Sequence, residues 1–243
     1  MSIGHHAGNL SAPTIVSAET MQRAILECGL VPFFENPIAG YSVEEMTHPS
    51  YWFDGDAGVL GPWDWKIDCV QSGDILYGKY LCGGKAAFAA FEWYRELKNY
   101  RQSLEKYALQ QGPQTLVMDY VNEHGSVSVK EVRALLGIKK SAADALLTRL
   151  QMQCRLVIGD LVRVYRGADL HYSGWQVASF CKPEDLAGSG GGFPGAPAGF
   201  PFASENDSLE CSHSPSESYN ILSAHITELT GETSPSLIAK ILG

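Results

Sequence analysis

Apolar and polar positions along the chain alternate with two periods, and the elements follow from them. In SAETMQRAILECG, Met21, Ile25 and Cys28 fall on one helical stripe. Ser17 stands where an N-cap belongs and Gly29 where a helix ends, so a helix is predicted between them. PWDWKIDCVQSG predicts a short helix with Pro62 at its first position. Between these two, LVPFFENPIAGYSVEEMTHPSYWFDG mixes turn residues with many rings and reads as an ordered wrap over a core. Residues 75–82 and 85–90 have strand character and meet at Gly83-Gly84, a pair suited to a tight hairpin turn. A helix bearing Trp93, Tyr94 and Leu97 follows.

From residue 114 the pattern changes to a succession of short helices. TLVMDYVNEHG predicts one with Leu116, Val117, Tyr120 and Val121 inward. SVSVKEVRALLG predicts a second, with Ser128 and Glu131 as a capping box, and KKSAADALLTRLQMQ a third, with Ser141 and Asp144 in the same roles. RLVIGDLVRVY and GWQVASF then supply two strands. Helix, short strand, helix, helix and hairpin is the order of a winged helix-turn-helix. SPSESYNILSAHITELTG predicts a further helix capped by Ser214, with Pro215 first and Glu217 in the box, and SPSLIAKILG a last short one.

The expected fold is therefore α+β and mainly helical: a winged helix-turn-helix core with an added α/β-hairpin N-terminal region and a C-terminal helix. The divisions are an N-terminal α+β region over 14–111 with its hairpin at 75–90, and a winged helix over 112–187. A flexible Gly/Pro-rich loop over 188–213 and a helical latch over 214–243 complete the chain. At 243 residues and 45% hydrophobic content there is ample material for a core. No apolar run reaches the ~18 residues of a membrane span. The N-terminus lacks a basic-then-apolar leader, which points to the cytoplasm.

Charge sharpens the picture. The chain carries a formal net charge of -9, yet residues 128–166 hold eight basic residues against three acidic ones. A basic module on an acidic body suits a partner with a phosphate backbone, double-stranded DNA above all. Lys139, Lys140, Arg149, Arg163 and Arg166 are the candidate backbone contacts. Ser141, Asp144 and Thr148 on the third helix are poor readers of base edges. A wing of this kind can equally serve protein interaction or self-association. The six cysteines show no CxxC spacing and no histidine cluster completes a zinc set, so neither a disulfide nor a metal or other cofactor is expected.

Five stretches together resemble a known family: PFFENPIAGYSVEEMT, PWDWK, YGKY with KAAF, EWYRELKNYR and LQMQCRLVI. They are similar to small bacterial proteins related to the AlkZ-type DNA glycosylases, across about residues 30–187. The resemblance implies winged-helix architecture and DNA as a partner. The glycosylases of that group excise damaged bases through a glutamine-x-glutamine motif that places water at the sugar. Gln151-Met152-Gln153 matches it in letters, which makes Gln151 and Gln153 the catalytic candidates of a monofunctional glycosylase. Ala87 stands where relatives carry glycine.

The residues themselves leave the matter open. Glutamines at i and i+2 on a helix face different ways, so the pair would equally serve to tie a helix to the strand that follows. Trp65, Tyr77, Lys79, Lys85 and Trp93 are pocket candidates, since rings beside lysines suit base stacking with phosphate contacts. They also suit a packed sheet whose lysines reach past aromatic neighbours. Asp64 and Asp68, one helical turn apart, form a possible carboxylate pair or a solvated face. The sequence thus supports two functions: a DNA-associated winged-helix protein related to DNA glycosylases, or a non-catalytic module for protein interaction or transcriptional regulation.

Overall fold

The structure is a computed structural model that describes residues 14–53, 60–186 and 209–243. Of the Gly/Pro-rich loop expected over 188–213, residues 188–208 lie outside these residues. Helix α1 (Ala18–Cys28) is capped by Ser17, whose hydroxyl accepts the Thr20 N–H, and ends at Gly29. Strand β1 (Leu30–Pro32) and two one-turn helices, α2 (Val43–Met46) and α3 (Ser50–Phe53), make up the aromatic wrap. Helix α4 (Pro62–Gln71) opens on Pro62 as expected. The hairpin is β2 (Ile75–Leu81) and β3 (Lys85–Ala90), followed by α5 (Phe91–Gln102).

The second half runs α6 (Pro113–His124), β4 (Ser126–Ser128), α7 (Val129–Leu136), α8 (Lys140–Met152), β5 (Val157–Arg166), β6 (His171–Cys181) and the short α9 (Pro183–Leu186). Helices α10 (Pro215–Thr230) and α11 (Pro235–Leu242) close the chain. Ser128 with Glu131 and Ser214 with Glu217 form the capping boxes their spacing predicts.

Two local expectations are corrected. Helix α8 is capped by Lys139 with no side-chain bond, not by Ser141. Left-handed Gly137 ends α7, and the chain re-enters a helix so soon that Ser141 already lies in the first turn. Asp144 instead meets Lys140 at 3.5 Å. Leu116 is 49% exposed, because the buried stripe of α6 runs through Gln114, Val117 and Val121. On β2, Tyr77 is buried and Lys79 exposed, and the β2–β3 ladder shifts register between Gly78 and Leu81.

All strands join one open antiparallel sheet in the order β1-β3-β2-β5-β6-β4. Consecutive residues of β2 and β3 are buried, so packed elements cover both faces there. Tyr77 stacks on Phe88 at 4.7 Å and meets Phe33, while Tyr80 meets Tyr94 of α5. The β2–β5 seam has a single register pair, Tyr77 with Ile158. The overall class is α+β, predominantly helical.

The β5–β6 hairpin projects from this body and docks on α4 by polar contacts. Gln176 Nε2 donates to the Trp63 carbonyl at 3.0 Å, and Arg163 Nε lies 3.9 Å from Asp64. The same Trp63 carbonyl accepts Lys66 Nζ at 2.6 Å, and that ammonium sits 3.2 Å above the Trp63 ring. Burial drives the Lys66 amine down to about 7, against the opposing pull of Asp64. An unfolded lysine keeps its proton up to 10.5, so the unfolded chain binds more protons between the two values. Stability contributed at this site is therefore lowest below about 7 and rises with pH across that window.

Lys66→Met is expected to flatten that rise and to lift the melting temperature near neutral pH. The gain should be about 2–4 °C for each kcal/mol regained. The Trp63 carbonyl keeps Gln176 as donor. Thermal melts at about pH 7 and about pH 9 test this; a variant with the wild-type pH slope would sink the assignment.

Candidate functional site: the glutamine pair and a basic helix end

Gln151 is the penultimate residue of α8 and 1% exposed. Its Oε1 accepts the Lys79 N–H at 2.9 Å and its Nε2 donates to the Leu147 carbonyl at 3.0 Å. Lys79 lies two residues beyond the single β2–β5 pair, so its N–H has no strand partner on that side. The glutamine takes the place of a missing strand. Such closeness needs Gly78, where a Cβ would stand 3.2 Å from Gln151 Oε1 and 3.1 Å from the Tyr80 ring.

Gln153 is fully buried at the C-cap of α8, where the helix gives way to a turn. Its Nε2 donates to the Ala108 carbonyl and to Gln114 Oε1, both at 3.1 Å. Its Oε1 is buried without a hydrogen-bond partner. The two side chains thus point to different neighbours, Gln151 to β2 and Gln153 to α6 and the segment before it.

Arg101 of α5 binds these parts together and is fully buried. It donates from Nη1 to the Met152 carbonyl at 2.9 Å, from Nε to the Leu242 carbonyl at 2.9 Å, and from Nη2 to the same oxygen. The Tyr107 ring lies 5.0 Å from its guanidinium carbon. Both carbonyls end helices, where the backbone dipole is negative.

The pocket candidates do not converge. Trp65 is 7% exposed and meets Tyr51 at 5.2 Å. Tyr77 is 5% exposed, and burial pushes its phenol well above the usual range. Trp93 stacks on His225 at 3.4 Å and covers Gly29. Lys79 and Lys85 face solvent, the latter 3.5 Å from the Glu35 carbonyl. A cleft of ≈ 340 Å³ opens elsewhere, bounded by Lys98, Asn99, Gln102, Ser103, Leu209, Cys211 and Pro215.

Among the basic candidates, Lys139, Lys140 and Arg166 are exposed. Arg149 is half-buried and donates to the Lys106 carbonyl, and Arg163 is held against Asp64. Helix α8 is open only over its first turns, through Lys140, Ser141, Ala142 and Ala145. Its later turns lie under the β2–β3 turn: a Cβ on Gly84 would meet Met152 Sδ at 3.0 Å and Thr148 Cγ2 at 3.2 Å.

Sequence reasoning missed one polar cluster. Glu96 of α5, 3% exposed, accepts Ser218 Oγ at 2.7 Å and Cys211 Sγ at 3.4 Å, with His213 Nδ1 at 3.1 Å. Burial alone would raise its carboxyl, but the bonds from Ser218, His213 and Cys211 outweigh that and hold it below the usual range. Glu96 and Cys211 are 115 residues apart, so no spacing in the sequence announces them.

These features define an α+β protein with an open antiparallel sheet, a buried polar tie between helix and strand, and a basic helix end left exposed. The family model described as AlkZ related matches residues 15–243, and the chain belongs to that family. No curated protein and no solved structure matches the chain. Among the described residues, no helix is long and apolar enough to cross a membrane.

Proposed function

We propose that residues 112–187 form a winged helix and that the protein is a DNA-associated module, with Gln151 and Gln153 holding α8 in place. Strand β6 pairs with both β4 and β5, and the succession α6, β4, α7, α8, β5, β6 is the winged-helix order. Membership of a family named for its relation to AlkZ supports DNA as the partner. In this reading 14–111 is the body and 214–243 a latch upon it.

The observation that carries the proposal is the partial exposure of α8. Its first turn, with Lys139 and Lys140, is free to approach a phosphate backbone, where helix N-termini favour anions. Its later turns are covered by the chain's own hairpin, so the helix cannot lie lengthwise in a major groove. Ala142 and Ala145 on the open face offer bases no hydrogen bonds. Binding is then governed by backbone charge rather than by sequence.

The test is fluorescence anisotropy of a labelled duplex over a salt series, with Lys139→Glu/Lys140→Glu beside the wild type. The double variant is expected to bind at least about tenfold more weakly near 0.1 M salt, with a log–log salt slope smaller by about 2. Equal binding by both proteins, or none at low salt, would overturn the proposal. A second reading, a monofunctional glycosylase, is favoured by the unpartnered Gln153 Oε1, an acceptor able to orient water. Release of a damaged base by the wild type, lost in a stably folded Gln153→Met protein, would select it.

A further inference from the structure

We propose that Glu96, Cys211 and His213 form a site for one zinc ion, which would clamp the start of α10 to α5. The three donor atoms come from two distant parts of the chain and lie within 4.8 Å of one another. Cys211 Sγ is 3.4 Å from Glu96 Oε2, and His213 Nδ1 is 3.1 Å from both Glu96 oxygens. Zinc bonds of ~2.0–2.3 Å in a tetrahedron place neighbouring donors ~3.3–3.6 Å apart. The side chains therefore need only small adjustments to surround an ion.

The donor types select the metal. Thiolate, imidazole and carboxylate together suit zinc, whereas calcium and magnesium take oxygen ligands. Further residues hold the donors in place, as they do in metal sites generally. Ser218 Oγ donates to Glu96 Oε2 at 2.7 Å. Asn99 Nδ2 donates at 2.8 Å to Ser218 Oγ and to the His213 carbonyl, fixing the loop that carries Cys211 and His213. Arg95 Nε, 3.5 Å from Glu96 Oε1, is a partly exposed cation at the rim.

Three protein donors leave a fourth position. The ≈ 340 Å³ cleft includes Cys211 in its wall, together with Asn99 and Pro215. A water would complete the shell of an ion held by the three donors. Since α10 packs along α5, the metal would fasten the C-terminal latch at its first turn.

The experiment uses the full chain, stripped with chelator and dialysed, then titrated with zinc against a chromophoric competitor. The wild type is expected to bind one zinc per chain and to melt at a higher temperature with zinc than without. Cys211→Ser and His213→Ala are both at partly exposed positions. Each is expected to weaken binding about 10- to 100-fold and to abolish the thermal gain. Cobalt in place of zinc should give a thiolate charge-transfer band that Cys211→Ser loses. No binding by the wild type, or equal binding by the wild type and both variants, would overturn the site. The DNA titration is independent of this outcome.

Discussion

Arg101→Ala is expected to lower folding stability by about 3–5 kcal/mol, read as a fall in the urea midpoint at unchanged slope. The guanidinium is fully buried and supplies donors to the carbonyls of Met152 and Leu242, the final residues of α8 and α11. Removing it leaves two helix ends without these donors and opens a cavity beside Tyr107. Each buried carbonyl stripped of its partner costs about 1–3 kcal/mol, before the cavity is counted. Arg101→Lys keeps the charge but loses the planar fork that reaches two carbonyls at once. It should fall between the two, about 2 kcal/mol below the wild type. An alanine variant with the wild-type midpoint would refute the role of Arg101 as the tie between α5, α8 and α11.

Gln151→Ala comes next in size, at about 2–4 kcal/mol. The Lys79 N–H has its acceptor in Gln151 Oε1, at a point where β2 has parted from β5. Gln151→Met keeps most of the volume and loses only the bonds, so the difference between the two variants separates packing from hydrogen bonding. Gln153→Met should cost less, about 1 kcal/mol. It deletes a donor, but it also removes a buried oxygen that has no partner. The informative comparison joins stability to function: under conditions where Gln151→Met is folded, it should bind duplex DNA with the wild-type salt slope. A folded Gln151→Met protein that fails to bind would place the glutamine at the interface instead.

These predictions rest on relations that differ in how far along the chain they reach. The helix boundaries at Ser17, Ser128 and Ser214 were readable because a cap and its N–H partner lie within three residues, and that at Pro62 because proline suits the first helical position. The β2–β3 hairpin was readable for the same reason, through Gly83 and Gly84. Where local signals competed, reading failed. Ser141 and Asp144 have capping-box spacing, yet the short turn after Gly137 begins the helix earlier. The register shift between Gly78 and Leu81 is likewise announced by no pattern in β2.

The candidate site was less legible than the fold. The triplet Gln151-Met152-Gln153 drew attention by its letters, but what each side chain touches lies far away in sequence, 72 residues for Gln151 with Lys79 and 45 for Gln153 with Ala108. Glu96 and His213 are 117 residues apart. By itself the sequence determined the order of elements, their caps and the basic character of the stretch around α8. Those properties follow from neighbours along the chain and from composition. Tertiary structure alone decided that the glutamines are buried, that α8 is open only at its first turns, and that Glu96, Cys211 and His213 meet. Such contacts form where packed helices and strands bring distant residues within hydrogen-bonding range, and no local spacing encodes that approach.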